Sequence, residues 1–311
     1  MLSLPRMRAL MIGRRGTAAT FNLTATTTGA ATLTLQRITP TGGTCTVSWG
    51  DGSADSTIAA GNIGTTTHAY AGAGTWAVKI SNPLLITYFD VRDTKLSCVA
   101  GQIGALKSLQ ALHLDFVANI MVGAGEIGGL TSLTYLYLYN SANITAGAGE
   151  IGGLSSLTYL YLRSVANVTV GAGEIGGLLN LATLVVYTAT KVTIGATEIG
   201  SLTNLTGLII IGSSNVAFQT GIGNLLKLTT VQYENTLSQA QVDSVLAQLY
   251  AAFPTRTGTN GTIDVAGGSN AAPSGTYQAA NPPTTGKEYA YELVNDSAGV
   301  STKHWATVTT S

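Results

Sequence analysis

The sequence predicts a mainly β protein in which an antiparallel sandwich leads into a parallel-sheet solenoid closed by a small α+β cap. Three observations predict it. An Ile-Gly pair recurs with a fixed 24-residue period through the middle of the chain. Before it, apolar residues alternate every second position between Thr- and Gly-rich turns, the pattern of half-buried antiparallel strands. After it the period stops and an amphipathic helical stretch takes over.

Composition bounds the setting. The chain has 311 residues, 45% of them apolar, which is more than one compact domain commonly holds and enough to build a sizeable core. Charged residues are only 10%, far below the usual share of about a quarter. Thr, Ser, Asn and Gly must therefore solvate the surface, as they do on exported and virion proteins more often than on cytosolic enzymes. Basic and acidic residues number 15 each, so no basic stripe follows a phosphate backbone and nucleic acid is excluded as a partner. No stretch approaches the roughly 18 apolar residues of a membrane helix, and no membrane insertion is expected. Cys45 and Cys98 are the only cysteines. They are too few for a disulfide scaffold and lack metal-ligand spacing, so two buried thiols are expected, with a bridge between modules left open.

Residues 1–16 are basic around a short apolar centre, Ala9 to Ile12. That centre is too short for a secretory leader, and the segment reads as an arm. Residues 17–82 form the sandwich. Phe21 and Leu23, Leu33 and Leu35, and Val47 and Trp49 supply inward pairs. Val47 to Gly52 closes a strand in an Asp-Gly turn, and His68-Ala69-Tyr70 precedes a last strand from Gly74 to Ile80. Trp49-Gly50-Asp51-Gly52, with His68, Tyr70, Gly74, Trp76 and Val78, resembles the polycystic kidney disease (PKD) domain, although the lead into the turn is shortened and Trp76 replaces a tyrosine. The resemblance covers about residues 17–81. It implies an immunoglobulin-like sandwich serving as spacer or protein contact. Asp51 and His68 do not read as a metal or catalytic pair. The Asp of an Asp-Gly turn bonds its own backbone, and a single His in a strand packs or caps.

Residues 83–235 carry the repeat. Ile103-Gly104, Ile127-Gly128, Ile151-Gly152, Ile175-Gly176 and Ile199-Gly200 keep the 24-residue period, and Ile222-Gly223 follows after 23. Each precedes Leu-x-x-Leu-x-x-Leu-x-Leu, as in Leu130, Leu133, Leu136 and Leu138, and a further apolar residue follows at Ile120, Ile144, Val168, Val192 and Val216. Ile86, Phe89 and Val91 form a degenerate first unit. This period and spacing resemble the leucine-rich repeats of plant and bacterial extracellular proteins. Each unit supplies one short strand whose leucines no unit can bury alone, and stacking gives a continuous core. The family's usual Asn position holds Val117, Ser141, Val165, Ala189 and Ser213, while Asn119, Asn143, Asn167 and Asn215 lie two residues later, with Lys191 breaking the column. A shifted ladder is expected. Gly-Ala-Gly-Glu turns, rather than helices, are expected on the convex side. Their glutamates, Glu126, Glu150 and Glu174, together with Glu198, would form an acidic column that caps backbone donors or lies solvated in preference to binding calcium.

Side chains flanking the inward leucines must project from the concave sheet. One column reads His113, Tyr137, Tyr161, Val185, Ile209, Gln232; a second Ala111, Tyr135, Tyr159, Thr183, Gly207, Thr230; a third Asp115, Tyr139, Arg163, Tyr187, Ile211, Glu234. Six of the 13 tyrosines fall in this patch. The expected binding residues are His113, Tyr135, Tyr137, Tyr139, Tyr159, Tyr161, Arg163 and Tyr187, since tyrosine joins rigid apolar area to a hydrogen-bonding tip. Stacking between strand neighbours explains the same enrichment without a ligand.

Residues 236–311 form the cap. Ser238 caps a helix with Val242, Val245, Leu246 and Leu249 on one side, Thr262 to Val265 is a strand, 286–295 a second helix, and His304 to Thr309 a final strand. Leu237 to Leu246, the Gly-Thr-Ile-Asp-Val strand, Asn270 to Pro273 and the closing Trp305-Ala306-Thr307-Val308-Thr309-Thr310 resemble a module at the C-terminal ends of phage tail and related surface proteins. The resemblance implies a virion.

The three histidines, His68, His113 and His304, lie in three modules, and no nucleophile elbow, phosphate loop or Cys/His cluster is present. The glycine-rich runs that suggest a dinucleotide fingerprint recur every 24 residues and are repeat turns. The reading is therefore a non-enzymatic structural or binding protein of a phage-like virion surface, a tail fibre or capsid decoration, with no cofactor and no metal. The alternative is a bacterial extracellular adhesin or filament subunit, including a glycan-binding one. Expected partners are other virion or surface subunits, or a host-surface protein or glycan, within an oligomer or assembly.

Overall fold

The computed structural model describes residues 19–116, 119–141, 143–217, 220–297, 299, 301 and 303–310. The N-terminal arm and Val117 lie outside the described residues. The first strand, β1 (Thr20–Thr27), buries Phe21, Leu23 and Ala25 while the residues between them stay at least partly exposed. It pairs antiparallel along its whole length with β7 (Gly74–Ser81). The sheet they anchor runs in the order β5-β4-β7-β1-β9, with β4 (Cys45–Ser48), β5 (Ser56–Ile58) and β9 (Leu96–Ser97). A separate hairpin-like pair joins β2 (Ala31–Leu35) to β6 (Thr66–Tyr70) and buries Leu33, Leu35 and Tyr70.

The N-terminal region thus holds two small antiparallel sheets, and a further strand lies in neither. β3 (Arg37–Pro40) leaves both of these sheets and pairs antiparallel with β8 (Ile86–Val91), the first strand of the solenoid. The physical reason is the open end of the repeat core. A stack of parallel strands exposes apolar side chains at its first unit, and Ile38, 1% exposed, seals Phe89.

From β8 the chain coils. β10 (Ala111–Asp115), β11 (Tyr135–Tyr139), β12 (Tyr159–Arg163), β13 (Thr183–Tyr187), β14 (Gly207–Ile211) and β15 (Thr230–Glu234) stack in parallel without a register slip. Phe89, Leu112, Leu136, Leu160, Leu184, Leu208 and Val231 therefore form one inward row, and every member is buried. A second row of isolated parallel bridges, Cys98–Ile120 through Ile194–Val216, ties the descending side of each turn to the next. Among the described residues the returning side has no α-helix. It consists of turns and single 3-10 turns such as Ile175–Gly177 and Ile199–Ser201. The resulting apolar core is continuous from Phe21 to Trp305.

The C-terminal region extends the same sheet rather than merely covering it. Helix α1 (Gln239–Ala251) starts at a Ser238–Gln241 capping box and buries Val242, Val245, Leu246 and Leu249. β16 (Gly261–Asp264) then adds in parallel to β15, and β17 (Trp305–Thr309) adds in parallel to β16. Helix α2 (Gly286–Asn295) lies between them in sequence and packs on both α1 and β17. Arg256, 5% exposed, fastens this end: its guanidinium stacks on Trp305 and donates to the carbonyls of Leu228, Lys303 and His304.

Candidate binding face

The glutamate column and the tyrosine columns carry the recurring polar chemistry of the solenoid, and they do different things. Each glutamate carboxylate accepts three backbone N–H bonds of 2.5–3.3 Å. For Glu150, Oε1 takes Gly147 of its own turn and Gly125 of the preceding one, and Oε2 takes Gly128. Glu126, Glu174 and Glu198 repeat the pattern with Gly101, Gly104 and Gly123, with Gly149, Gly152 and Gly171, and with Gly173, Gly176 and Gly195. The carboxylates are thus occupied as caps bridging neighbouring turns. The motif follows from this geometry. Gly125, Gly149 and Gly173 sit at φ of +85°, +90° and +93°, and a Cβ on Gly152 would lie 3.1 Å from Cβ of Glu174. In the last, shorter repeat Gly221 stands where the glutamate would be, and the column ends.

The asparagine ladder is shifted as the spacing predicts. Asn119 donates to the Thr94 carbonyl at 2.9 Å and Asn215 to that of Thr190, while Lys191 reaches Asn167 instead. Ser141, Val165, Ala189 and Ser213, at the family's usual position, are buried.

The strand register places the three predicted columns side by side on the solvent face of the sheet. His113, Tyr137 and Tyr161 are directly aligned, as are Tyr135 with Tyr159, and Tyr139 with Arg163 and Tyr187. All eight are half-buried. The rings stack on one another down the columns: Tyr137 on Tyr161 at 4.2 Å, Tyr135 on Tyr159 at 4.5 Å, and His113 tilted against Tyr137 at 4.2 Å. Arg163 is held between Tyr139 and Tyr187, 4.7 and 4.3 Å from their ring centres. Side chains stand roughly perpendicular to a sheet. Stacked rings therefore cover each other's faces.

The electrostatics of this face are set by partial burial. Burial pushes the Tyr135 phenol up to about 12 and raises Tyr159, while Tyr137 rises further through burial and the neighbouring Tyr161 hydroxyl. Burial lowers His113 despite the Asp90 carboxylate 3.9 Å away, itself clamped by Arg92. The face is consequently neutral along its tyrosines, with Asp115 near one end and Arg163 at its centre. His113 Nε2, Asp115 Oδ1 and Arg163 Nε are buried atoms without a hydrogen-bond partner in the free chain.

Elsewhere, Asp51 and His68 do meet, which sequence spacing alone did not indicate. His68 Nε2 lies 2.7 Å from Asp51 Oδ2 while the ring stacks on Trp49. Asp51 also accepts from the Ser53 hydroxyl and N–H, as an Asp-Gly turn requires. These hydrogen bonds, from Ser53 first and His68 second, hold the carboxyl well below the usual range. The serine sits on the carboxylate rather than on the imidazole, which leaves no activated nucleophile. Cys45 and Cys98 are both buried free thiols, and burial pushes Cys98 up to about 11. Among the described residues, no three His, Cys, Asp or Glu side chains converge to hold a metal, and no helix is long and apolar enough to cross a membrane.

The architecture is a mainly β, parallel-sheet solenoid. No family model and no curated protein matches the chain. Among solved structures it is similar to a leucine-rich-repeat protein of Leptospira interrogans, at 27% identity over 61% of this chain and 44% of that one, with a TM-score of 0.43. It is also similar to an internalin of Listeria monocytogenes, at 18% identity over 52% and 44%, with a TM-score of 0.38. A third is internalin C2 of the same organism, at 22% over 60% and 74%, with a TM-score of 0.40. The chain spans less than half the length of the first two.

Proposed function

We propose that the chain is a non-enzymatic adhesion protein that binds a protein partner outside a cell through the solvent face of β10–β13. The residues that carry binding are His113, Tyr135, Tyr137, Tyr139, Tyr159, Tyr161, Arg163 and Tyr187. Residues 17–82 act as a PKD-like spacer, residues 83–235 as the repeat array and residues 236–311 as its cap. The observation that carries the proposal is the set of aligned tyrosine columns, half-buried and uncovered by any other described element. Tyrosine pre-ordered by stacking loses little side-chain freedom on binding, which lowers the cost of association.

The stacking also favours protein over glycan. A sugar packs its C–H face on an exposed aromatic face, and here the faces are covered at 4.2–4.5 Å by neighbouring rings. Edges and hydroxyls suit a polypeptide surface, which offers amide donors and acceptors. The virion setting rests on the cap's resemblance to phage surface proteins and on nothing in this face, so a cell-surface adhesin is the preferred reading.

The test is binding of the fluorescently labelled chain to panels of intact cells, treated beforehand with protease or with glycosidases. Protease should abolish binding and glycosidases should spare it. Binding lost to glycosidases alone would overturn the protein assignment.

A further inference from the structure

Strands β10 to β14 are each followed directly by a residue in the left-handed region. Phe116, Asn140, Ser164, Thr188 and Gly212 stand there at φ of +54°, +46°, +51°, +46° and +56°. One recurring hydrogen bond sets this geometry. The N–H of each donates to the last carbonyl of the next strand at 2.9–3.1 Å, from Phe116 to Tyr139 through to Gly212 to Glu234. The conformation suits glycine, tolerates asparagine and strains other L residues. Gly212 and Asn140 follow that rule, and Ser164 and Thr188 share a hydroxyl–hydroxyl bond of 3.0 Å. Phenylalanine at 116 meets neither condition.

Its ring does not serve the core either. Phe116 is 50% exposed and does not pack against the buried apolar cluster. Among the described residues it is the one exposed large apolar side chain that also holds a positive φ, so backbone strain and apolar exposure fall on the same residue. Costs of this kind persist at binding sites and switches, where function retains them. The ring stands at the head of the third column, edge-on to Tyr139 at 4.7 Å, with Arg163 and then Tyr187 beyond. We infer that Phe116 is the anchor of this face, its ring entering an apolar pocket on the polypeptide partner; the inference rests on the reading of the face as a protein contact.

A single projecting aromatic gains most in an enclosed pocket, where it is desolvated on all sides, and this is the setting of interface hot spots. The surroundings fit a protein rather than a lipid surface. Lipid would take several apolar side chains together with basic ones. The described neighbours of Phe116 along the chain and across the column are instead half-buried Asp115 and exposed Asn119 and Asn140. A carboxylate and two amides around one ring match the polar rim that encloses a buried anchor.

The test applies the full chain, fluorescently labelled, to the panel of intact cells, with Phe116→Asn and Phe116→Leu beside the wild type. Phe116→Asn places there the residue that the next repeat already carries. It should keep or raise the urea midpoint, because relief of strain offsets the lost ring contact, and it should weaken binding roughly tenfold or more. Phe116→Leu keeps apolar bulk and should weaken binding less. Wild-type binding by Phe116→Asn overturns the inference. If a Tyr137→Ser/Tyr161→Ser variant measured alongside has lost binding, the anchor alone falls; if that variant also binds like the wild type, the reading of the face falls with it. A urea midpoint for Phe116→Asn lowered as far as that of Leu136→Ala would make Phe116 a packing residue and likewise overturn the inference. Binding of the wild type to phosphatidylcholine vesicles that Phe116→Asn abolishes would overturn the polypeptide pocket in favour of a lipid surface.

Discussion

Replacing Glu150 by alanine removes one carboxylate and strands three backbone N–H groups belonging to two successive repeats. Gly147 and Gly128 donate to it from part-buried positions at 2.7 and 3.3 Å, and Gly125 from an exposed one at 2.7 Å. An orphaned buried donor costs about 1–3 kcal/mol, and bonds to a charged acceptor lie at the upper end. Water can reach the exposed donor, so its loss is discounted, which leaves about 2–4 kcal/mol for Glu150→Ala. Glu150→Gln is the sharper variant. It keeps one acceptor but points an NH2 group at a backbone N–H that now has no acceptor, and about half that loss is expected. Equilibrium urea unfolding followed by circular dichroism measures both. Because the bonds span a repeat interface, and such interfaces carry the cooperativity of a solenoid, the transition should also broaden, with a lower slope. Losses below about 0.5 kcal/mol for Glu150→Ala, or stabilisation of the wild type by millimolar calcium, would refute the reasoning that the column is a set of caps.

Three further outcomes are expected. Gly152→Ala, whose Cβ would meet Glu174 at 3.1 Å, should cost about 1–3 kcal/mol in the same urea assay, whereas Gly29→Ala, with open space around it, should be near neutral. Glu288 is held down to about 2 by the Gln278 amide and by Thr284 and Thr285 donors. A depressed folded pKa stabilises above the unfolded value and is lost below it, so thermal stability should fall between about pH 4.5 and 2, and Glu288→Gln should flatten that part of the profile. Tyr135 is raised to about 12 by burial. Its neutral form therefore stabilises the fold up to pH 10 and is lost as pH rises toward 12, and Tyr135→Phe should remove one late step from the ultraviolet phenolate titration.

The repeat register was legible because one constraint fixes it. A leucine row can be buried only if every strand keeps phase, so Leu136, Leu160 and Leu184 set the columns on the opposite face, and the tyrosines follow. The Gly-Ala-Gly-Glu turns were legible as turns, but whether their carboxylates cap, dissolve or bind an ion depended on where the glycine N–H groups point. That is a backbone property with no sequence signature of its own. The transfer of Arg37–Pro40 into the solenoid sheet was hidden because nothing in four residues says which of two neighbouring sheets they join. β16 and β17 were visible as strands, but they lack the repeat, so their parallel continuation of the sheet was not. Asp51 and His68 were each read correctly, one as a turn former and one as a packed ring. Their bond was missed because it depends on how β6 passes the Asp-Gly turn. Ring stacking was foreseeable as a tendency, and its consequence for ligand class emerged only from the centroid distances.

The most direct measurement for the central claim compares the cell-surface binding of three forms of the chain at equal fold stability. These are the wild type, a Tyr137→Ser/Tyr161→Ser variant that opens the central column, and a Thr169→Arg variant on the flank of the solenoid. The account predicts that the tyrosine variant loses most of its binding, by an order of magnitude or more as for truncated interface aromatics, while the flank variant binds like the wild type. Equal binding by the wild type and the tyrosine variant, or loss in the flank variant alone, would contradict it.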